Sequence, residues 1–254
     1  MNAIHLLESR QTTSPPAKAD GEAARLIDLI RSSAMFADLR PNAYSDILSC
    51  AMARVFARGE IMLLQGHPVR EHVLLSSGVA KVTQVGASGV ELLLWMNGPG
   101  ETVGIPNDAP FCWHACSARA VKRCHALSWE DSDFQSLIVK YPHIRINISR
   151  MIADQLGDME KRFREIATKE VPMRLSFALL RLAAQVGNPT RGGVEVSLSF
   201  DELAQLTGST VFTVGRILSK WGKEGLIAPR NRAVIVYDSG RLLLAGFNTA
   251  QISA

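Results

Sequence analysis

Hydrophobic positions are spaced differently in three parts of the chain. Between residues 53 and 129 they form short runs of strand length that glycines separate. From about Pro142 to Thr168 they recur every three or four residues, and from Ser199 to Trp221 they form two short segments of helical period. Short apolar runs punctuated by glycines are typical of an antiparallel barrel or roll, and the later spacings predict helices.

Boundaries of the predicted elements follow from these runs and the breaks between them. Residues 1–21 lack sustained periodicity, and helical patterns follow from Glu22 to Ile30 and from Ala43 to Met52. Another amphipathic helix runs from Met173 to Val186. The predicted strands are Arg54 to Ala57, Ile61 to Gln65, His72 to Leu75, Val79 to Val85, Val90 to Met96 and Cys124 to Trp129.

Residues 199–221 predict a helix, a tight turn and a second helix. Ser199 and Glu202 have the spacing of a capping box, in which each side chain bonds the backbone N–H of the other residue. Gly208 suits the left-handed backbone that ends a helix, and the Thr210 hydroxyl suits the cap of the next. DNA-binding proteins present a reading helix to the major groove in this way. The alternative is an ordinary helical core, in which such shapes also occur.

A basic hairpin is predicted directly after the second helix. Leu226-Ile227 and the run Val234 to Tyr237 have strand character, and the tip between them carries Arg230 and Arg232. A basic hairpin beside a reading helix is a wing that contacts phosphates. The turn, the caps and the wing agree with one another, which favours the DNA-binding interpretation over the helical core.

The long helix from about Pro142 to Thr168 carries an apolar stripe with the spacing of a coiled-coil seam. Such a stripe needs a partner, and a helix-turn-helix that reads paired half-sites needs two-fold symmetry. We therefore predict a homodimer, with packing on the helix's own domain as the alternative. The predicted dimerisation residues are Ile152, Leu156, Met159, Phe163 and Ile166.

Charge is distributed unevenly over the 254 residues, whose formal net charge is +4. Residues 169–254 carry ten Lys and Arg against six Asp and Glu, whereas residues 1–168 carry eighteen of each. The excess thus lies in the half with the helix-turn-helix, which suits a polyanionic partner.

Other function classes lack their sequence signals. No apolar run reaches the roughly 18 residues of a membrane span, and no signal-peptide pattern is present, so a cytoplasmic protein without a membrane partner is expected. Four cysteines in so long a chain do not indicate a disulfide scaffold. Nucleotide-binding glycine motifs and H-E-x-x-H are also absent, so we do not expect an enzyme.

The order of a roll, a long dimer helix and a winged helix resembles the CRP/FNR family of bacterial transcription regulators. The local likeness lies in Val73 to Val82, in Gly98-Pro99-Gly100-Glu101 followed by Gly104, and in Thr213 to Leu218. The resemblance implies an α+β fold with an N-terminal antiparallel β-roll, a dimerisation helix and a C-terminal winged helix-turn-helix. It also implies a dimer on a palindromic site in double-stranded promoter DNA, contact with RNA polymerase, and an effector signal that enters through the roll.

The predicted domains follow this order. They are a flexible tail at 1–21, a cyclic-nucleotide-binding-like β-roll at 22–140, a dimerisation helix at 141–168, a winged helix-turn-helix at 169–245 and a C-terminal tail at 246–254.

Candidate DNA-reading residues lie at the start of the second helix, because this end of a reading helix faces the base edges. They are Thr210, Val211, Phe212, Thr213 and Arg216, with Ser209, Lys220, Arg230 and Arg232 nearer to phosphate. Arg216 matches the family arginine and can bind a guanine through two hydrogen bonds. Family members commonly have a glutamate at the position of Phe212, so the half-site should differ from the usual one. The alternative for Phe212 is packing against the first helix.

Cyclic AMP is not expected as the effector. Cyclic-nucleotide-binding relatives have a glutamate shortly after the glycine that Gly104 matches, and an Arg-Ser pair for the cyclic phosphate. Ile105-Pro106 follow Gly104 here, and His114 and Ala115 stand at the place of the Arg-Ser pair. A buried phosphate would therefore have too few partners.

Cysteines and a histidine stand in the same region, so the effector remains unknown, with haem or iron possible. The segment from Phe111 to His114 is similar to the haem-ligand segment of CooA-type carbon monoxide sensors, which would make Cys112 and His114 axial-ligand candidates. A second interpretation takes Cys112, Cys116, Cys124 and Cys50 as iron–sulfur ligands or a thiol switch. In a third they are core or pocket residues. A DNA-binding dimer without any effector is a further alternative.

Overall fold

The described part of the chain begins with two helices. The computed structural model describes residues 16–104 and 112–248. Helix α1 spans Pro16–Ser32 and α2 spans Pro41–Ser49, with a 3₁₀ turn at Ala34–Phe36 between them. Helix α1 begins inside the stretch 1–21 that the sequence predicted to be a tail, since proline suits the first turn of a helix as well as a loop. Residues 1–15 of that predicted tail lie outside the described residues.

The following strands form a roll of two antiparallel sheets. The sheets have the strand orders β1-β7-β3 and β2-β6-β4-β5. The prediction of an antiparallel roll is thus confirmed. The strands are β1 Met52–Phe56, β2 Ile61–Leu63, β3 Glu71–Ser77, β4 Ala80–Val85, β5 Glu91–Asn97, β6 Ser117–Ala120 and β7 Cys124–Glu130.

Alternate residues of the β1-β7-β3 sheet enter two different cores. Val73 and Leu75 point into the roll, where they pack with Val82 and other buried side chains. Leu74 points to the opposite face and packs against the helices, together with Trp129. Both faces of β3 are therefore buried, which explains why its sequence is a continuous apolar run rather than an alternation.

Two helices connect the roll to the C-terminal unit. Helix α3 spans Asp131–Lys140 and α4 spans His143–Thr168. Ile144 and Ile148, at the start of α4, are buried in the helical core beside the roll. Helix α4 is 26 residues long, which confirms the predicted long helix.

The C-terminal unit is a helix-turn-helix with a small sheet. It contains α5 Val171–Val186, β8 Asn188–Thr190, β9 Gly193–Val196, α6 Phe200–Thr207, α7 Val211–Lys223, β10 Ile227–Arg230, β11 Ala233–Val236 and α8 Ser239–Asn248. Its sheet has the order β10-β11-β9-β8. The predicted helix-turn-helix and hairpin are confirmed, and α8 extends past residue 245, where the sequence predicted a tail.

The roll and the C-terminal unit share one hydrophobic core. Val79, Leu93 and Met96 of the roll pack in the same cluster as Leu179 of α5 and Leu203 of α6. No helix in the described chain is long and apolar enough to cross a membrane.

Candidate DNA-binding site

The capping box holds the start of α6 as the sequence predicted. The Glu202 backbone N–H donates to Ser199 Oγ at 3.2 Å, and the Ser199 backbone N–H donates to Glu202 Oε2 at 2.8 Å. Gly208 ends the helix with φ 58° and ψ 47°, and the Ser209 N–H bonds the Ala204 carbonyl at 2.9 Å. The left-handed Gly208 turns the chain directly into α7.

Helix α7 buries one face and leaves the other open. Thr210 caps it by accepting from the Thr213 N–H at 3.2 Å, and its hydroxyl lies 3.0 Å from Thr213 Oγ1. The buried face consists of Val214, Ile217, Leu218 and Trp221, each at most 7% exposed. Because this face packs in the core of the unit, α7 is held firmly with its opposite face toward solvent.

Most of the residues predicted to contact DNA are exposed. Phe212 is 81% exposed, so the alternative in which it packs against α6 is wrong. Arg216 is exposed and forms no hydrogen bond or ion pair with the described residues. The predicted residues that are exposed are Thr210, Val211, Phe212, Arg216, Lys220, Arg230 and Arg232, and those that are half-buried are Ser209 and Thr213.

The wing is a two-stranded hairpin with a basic tip. Strands β10 and β11 pair antiparallel, with Arg230 opposite Ala233. Arg232 has a positive φ of 61°, the left-handed region, in the turn between the strands. Both wing arginines are exposed, so their guanidinium groups are free to contact a phosphate backbone.

Polar contacts join the roll to the first helix of the helix-turn-helix. Lys81 Nζ of β4 bonds Glu202 Oε1 at 2.9 Å, and the Leu93 N–H of β5 donates to Gln205 Oε1 at 3.0 Å. Burial alone would raise the pKa of Glu202, but bonds from Ser199 and the Lys81 ammonium outweigh it and lower that pKa. Glu202 therefore serves both the helix cap and the contact with the roll. We call this set of contacts the roll–α6 junction.

The end of α4 contacts the turn of the helix-turn-helix. Arg174 donates from Nη1 to the Ile166 carbonyl at 2.8 Å, and its Nη2 lies 3.5 Å from the Gly208 carbonyl. The Ile166 side chain lies within van der Waals distance of the space that a Cβ at Gly208 would occupy. A shift of α4 would therefore displace the turn that orients α7.

The predicted dimerisation residues are exposed within a single chain. We call them the α4 seam: Ile152, Leu156, Met159, Phe163 and Ile166 are 44%, 58%, 47%, 75% and 42% exposed. The alternative, that the stripe packs on its own domain, holds fully for the buried Ile144 and Ile148 upstream and in part for Ile166, which lies against Gly208. The seam itself leaves a row of large apolar side chains facing solvent.

A cavity lies where the roll, α4, α5 and α6 meet. Its volume is about 340 Å³, and its lining includes Trp95 of β5, Met151 and Arg162 of α4, Leu182 of α5 and Leu206 of α6. The Arg162 guanidinium donates to the Leu94 carbonyl, and burial, then nearby Arg181, lowers the pKa of Arg162. A molecule held in this cavity would contact the sensor-like roll and the helix-turn-helix unit together.

Comparison with known proteins gives the same order of domains. Residues 53–141 match the model of the cyclic nucleotide-binding domain, and residues 173–244 match the model of the Crp-like helix-turn-helix domain. The chain belongs to the CRP/FNR family of transcription regulators. The predicted resemblance is thus confirmed.

CRP/FNR relatives match over most of the chain. The CRP-like cAMP-activated global transcriptional regulator of Mycobacterium tuberculosis is 26% identical over 220 residues, covering 85% of this chain and 97% of the relative. The cyclic AMP receptor protein of Thermus thermophilus is 26% identical over 221 residues, covering 87% and 100%. The solved structure of FixK2 from Bradyrhizobium japonicum has a TM-score of 0.66 at 18% identity, covers 77% of this chain and 96% of that chain, and supports the fold alone.

Two of the four residues predicted to bind an effector or a metal are core residues. Cys116 and Cys124 are buried inside the roll, and burial raises the pKa of Cys116 to about 11. Burial also raises the pKa of Cys124, which donates to the Val79 carbonyl at 3.4 Å. Both side chains therefore pack as small buried groups of the roll core.

Cys112 and His114 lie at the edge of the roll and are half-buried. Burial, then the neighbouring His72 and His67, lowers the pKa of His114, which favours the neutral imidazole that metals bind. Phe111, which the haem-ligand likeness includes, lies outside the described residues. Across residues 16–104 and 112–248, no group of three or more His, Cys, Asp or Glu is arranged so that it could hold a metal ion.

Sequence reasoning missed the residues that connect the units. Lys81 stands within the segment that resembles CRP/FNR proteins, but no local pattern pointed to Glu202 as its partner. The same holds for Gln205, whose partner is the backbone of Leu93, and for Arg174, whose partners are the carbonyls of Ile166 and Gly208. A single basic or amide side chain belongs to no periodic pattern, so the sequence does not distinguish it from an ordinary surface residue.

Proposed function

We propose that this CRP/FNR regulator acts as a homodimer that binds a two-fold symmetric promoter site through α7 and contacts RNA polymerase there. The observation that carries the proposal is the division of α7 into a buried face and an open one. The open face presents Phe212 and Arg216, and the wing arginines Arg230 and Arg232 are also exposed. Basic and apolar groups presented from a rigid helix are what base-edge and phosphate contacts need.

The homodimer is supported by the α4 seam. A row of apolar side chains from Ile152 to Ile166 that is 42–75% exposed in one chain gains from burial against a second copy. A second copy along the same helix relates the two α7 helices by a two-fold axis, so the DNA site is expected to be palindromic.

An effector other than cyclic AMP is proposed for the roll, although both relatives are named for cyclic AMP. His114 and Ala115 stand where an anion-binding Arg-Ser pair would be needed, and lowering of its pKa keeps His114 neutral. The roll–α6 junction gives the signal a physical route, since a change at β4 or β5 acts directly on α6 through Lys81 and Gln205.

DNA binding is tested by selecting sites from a random duplex library with the purified full-length protein. The expected result is one enriched palindrome whose affinity by fluorescence anisotropy far exceeds that for a scrambled duplex. Transcription in vitro with purified RNA polymerase on a promoter carrying that palindrome should change when the protein is added. Failure to enrich any site, under conditions where a cyclic AMP receptor protein enriches its own, would refute the proposal.

The effector proposal is tested separately by calorimetric titration with cyclic AMP, with a cyclic AMP receptor protein as positive control. No binding heat is expected, and saturable binding would contradict the proposal. A Soret band or bound iron in the purified protein, lost in Cys112→Ala or His114→Ala but not in Cys50→Ala, would identify the haem or iron alternative. If the dimer binds DNA equally well with and without small molecules extracted from cells, the alternative of a regulator without an effector is supported.

A further inference from the structure

Helix α7 presents an apolar side chain where it is expected to meet base edges. Phe212 is the second residue of α7 and is 81% exposed, whereas the apolar residues of its buried face are at most 7% exposed. A phenylalanine this exposed buries little apolar surface within the unit. It does not belong to any of the three hydrophobic clusters of the described residues.

The neighbours of Phe212 form a face that suits DNA. Arg216 lies four residues further on, so the two side chains stand one turn apart on the same side of the helix. Both side chains are exposed. Lys220 continues this exposed face toward the end of α7. Two basic side chains and one exposed phenyl ring on the same helix face suit DNA, which is a polyanion with apolar groups on some of its base edges.

Two other candidate readers, Thr210 and Thr213, bond to each other at the start of α7. The Thr210 hydroxyl caps α7 and lies 3.0 Å from the Thr213 hydroxyl, so these two groups satisfy each other. Phe212 has no donor or acceptor, so it cannot recognise a base through hydrogen bonds. In the major groove the only apolar group on a base edge is the C5 methyl of thymine.

We propose that Phe212 determines specificity by packing on a thymine methyl in each half-site, beside the guanine that Arg216 reads. This inference rests on the proposed DNA-binding function and deepens it. Four residues of helix span about 6 Å, and base pairs are about 3.4 Å apart, so the thymine lies within about two base-pair steps of that guanine. The family position that carries glutamate thus reads a methyl group here rather than an amino group.

The test replaces single atoms in the DNA. In the palindrome selected by the full-length protein, each thymine is replaced in turn by deoxyuridine, which removes only the methyl. Affinity is measured by fluorescence anisotropy at one fixed salt concentration. At one thymine of each half-site, the wild-type protein should bind about fourfold more weakly per methyl removed, as expected for one buried methyl group. Phe212→Ala should bind the thymine and uracil duplexes equally, whereas Phe212→Leu should retain part of the difference.

Two controls separate this inference from the function on which it rests. Replacement of the guanine by 7-deazaguanine removes the N7 acceptor and should weaken wild type and Phe212→Ala alike, but not Arg216→Ala. If the 7-deazaguanine effect is present and no uracil effect is found, the role of Phe212 is refuted while the reading helix stands. If neither effect occurs, the placement of α7 in the groove fails as well. A uracil effect that persists in Phe212→Ala would assign the methyl contact to another residue and also refute the inference.

Discussion

Replacement of two α4 seam residues by glutamate tests the proposed dimer most directly. Leu156 and Phe163 are 58% and 75% exposed in a single chain, so a partner helix would bury most of each side chain. Burying such a side chain completely is worth about 1.5–3 kcal/mol. Scaled by the exposed fractions, the two residues contribute about 2–4 kcal/mol per protomer and about 4–8 kcal/mol per dimer.

The double variant Leu156→Glu/Phe163→Glu loses this contribution and places carboxylates against apolar groups. We therefore expect the dimer dissociation constant to rise at least about a thousandfold, since about 4 kcal/mol corresponds to three powers of ten. Sedimentation equilibrium over a range of protein concentrations measures the constant, and light scattering gives the mass. Operator affinity should fall with the dimer, because one α7 then binds one half-site.

Ile146→Glu is the matched control. Ile146 lies on the same helix and is 48% exposed, but its helical position is well away from the seam. This variant should remain dimeric. Circular dichroism and thermal unfolding establish that both proteins are folded. A folded double variant that dimerises like wild type would refute the seam.

Four further predictions concern α7, the roll–α6 junction and the helix-turn-helix turn. Arg216→Ala should lose sequence preference but keep salt-dependent binding to any duplex, and unchanged preference in competition anisotropy would contradict the reading helix. Lys81→Ala should speed hydrogen exchange in α6, because loss of a charged hydrogen bond costs about 1–3 kcal/mol. Since the pKa of Glu202 is lowered, the stability it adds is present at neutral pH and lost as pH falls through that lowered value. The difference in thermal midpoint between wild type and Glu202→Gln should therefore shrink on acidification, and a constant difference would refute this linkage. Gly208→Ala should destabilise by about 1–2 kcal/mol because φ is positive there, while Gly157→Ala in an open helical position should stabilise.

Much of the DNA-binding unit could be predicted because its signals are local. Ser199 and Glu202 form their capping box three residues apart, and Gly208 and Thr210 act within one turn. The stripe on α4 is likewise a property of one helix. Such features depend on backbone geometry and short-range hydrogen bonds, so residue type and spacing are sufficient to place them.

Strands without a local pattern could not be predicted. Strand β6 has the sequence Ser-Ala-Arg-Ala, and β8 contains a proline, so neither has strand propensity of its own. Strand β6 exists because it pairs with β2 on one side and β4 on the other. In sheets, the partner strand and the burial it brings decide the conformation more than the residue does.

The sequence by itself determined which elements carry DNA-binding chemistry, since caps, turns and helical faces are set by neighbours in the chain. Only the tertiary structure decided that Phe212 faces solvent and that Lys81 of the roll meets Glu202 of α6. Side-chain exposure and contacts between residues 121 positions apart depend on how whole units pack. Packing of that kind has no periodicity to reveal it, because it depends on surfaces assembled from distant segments.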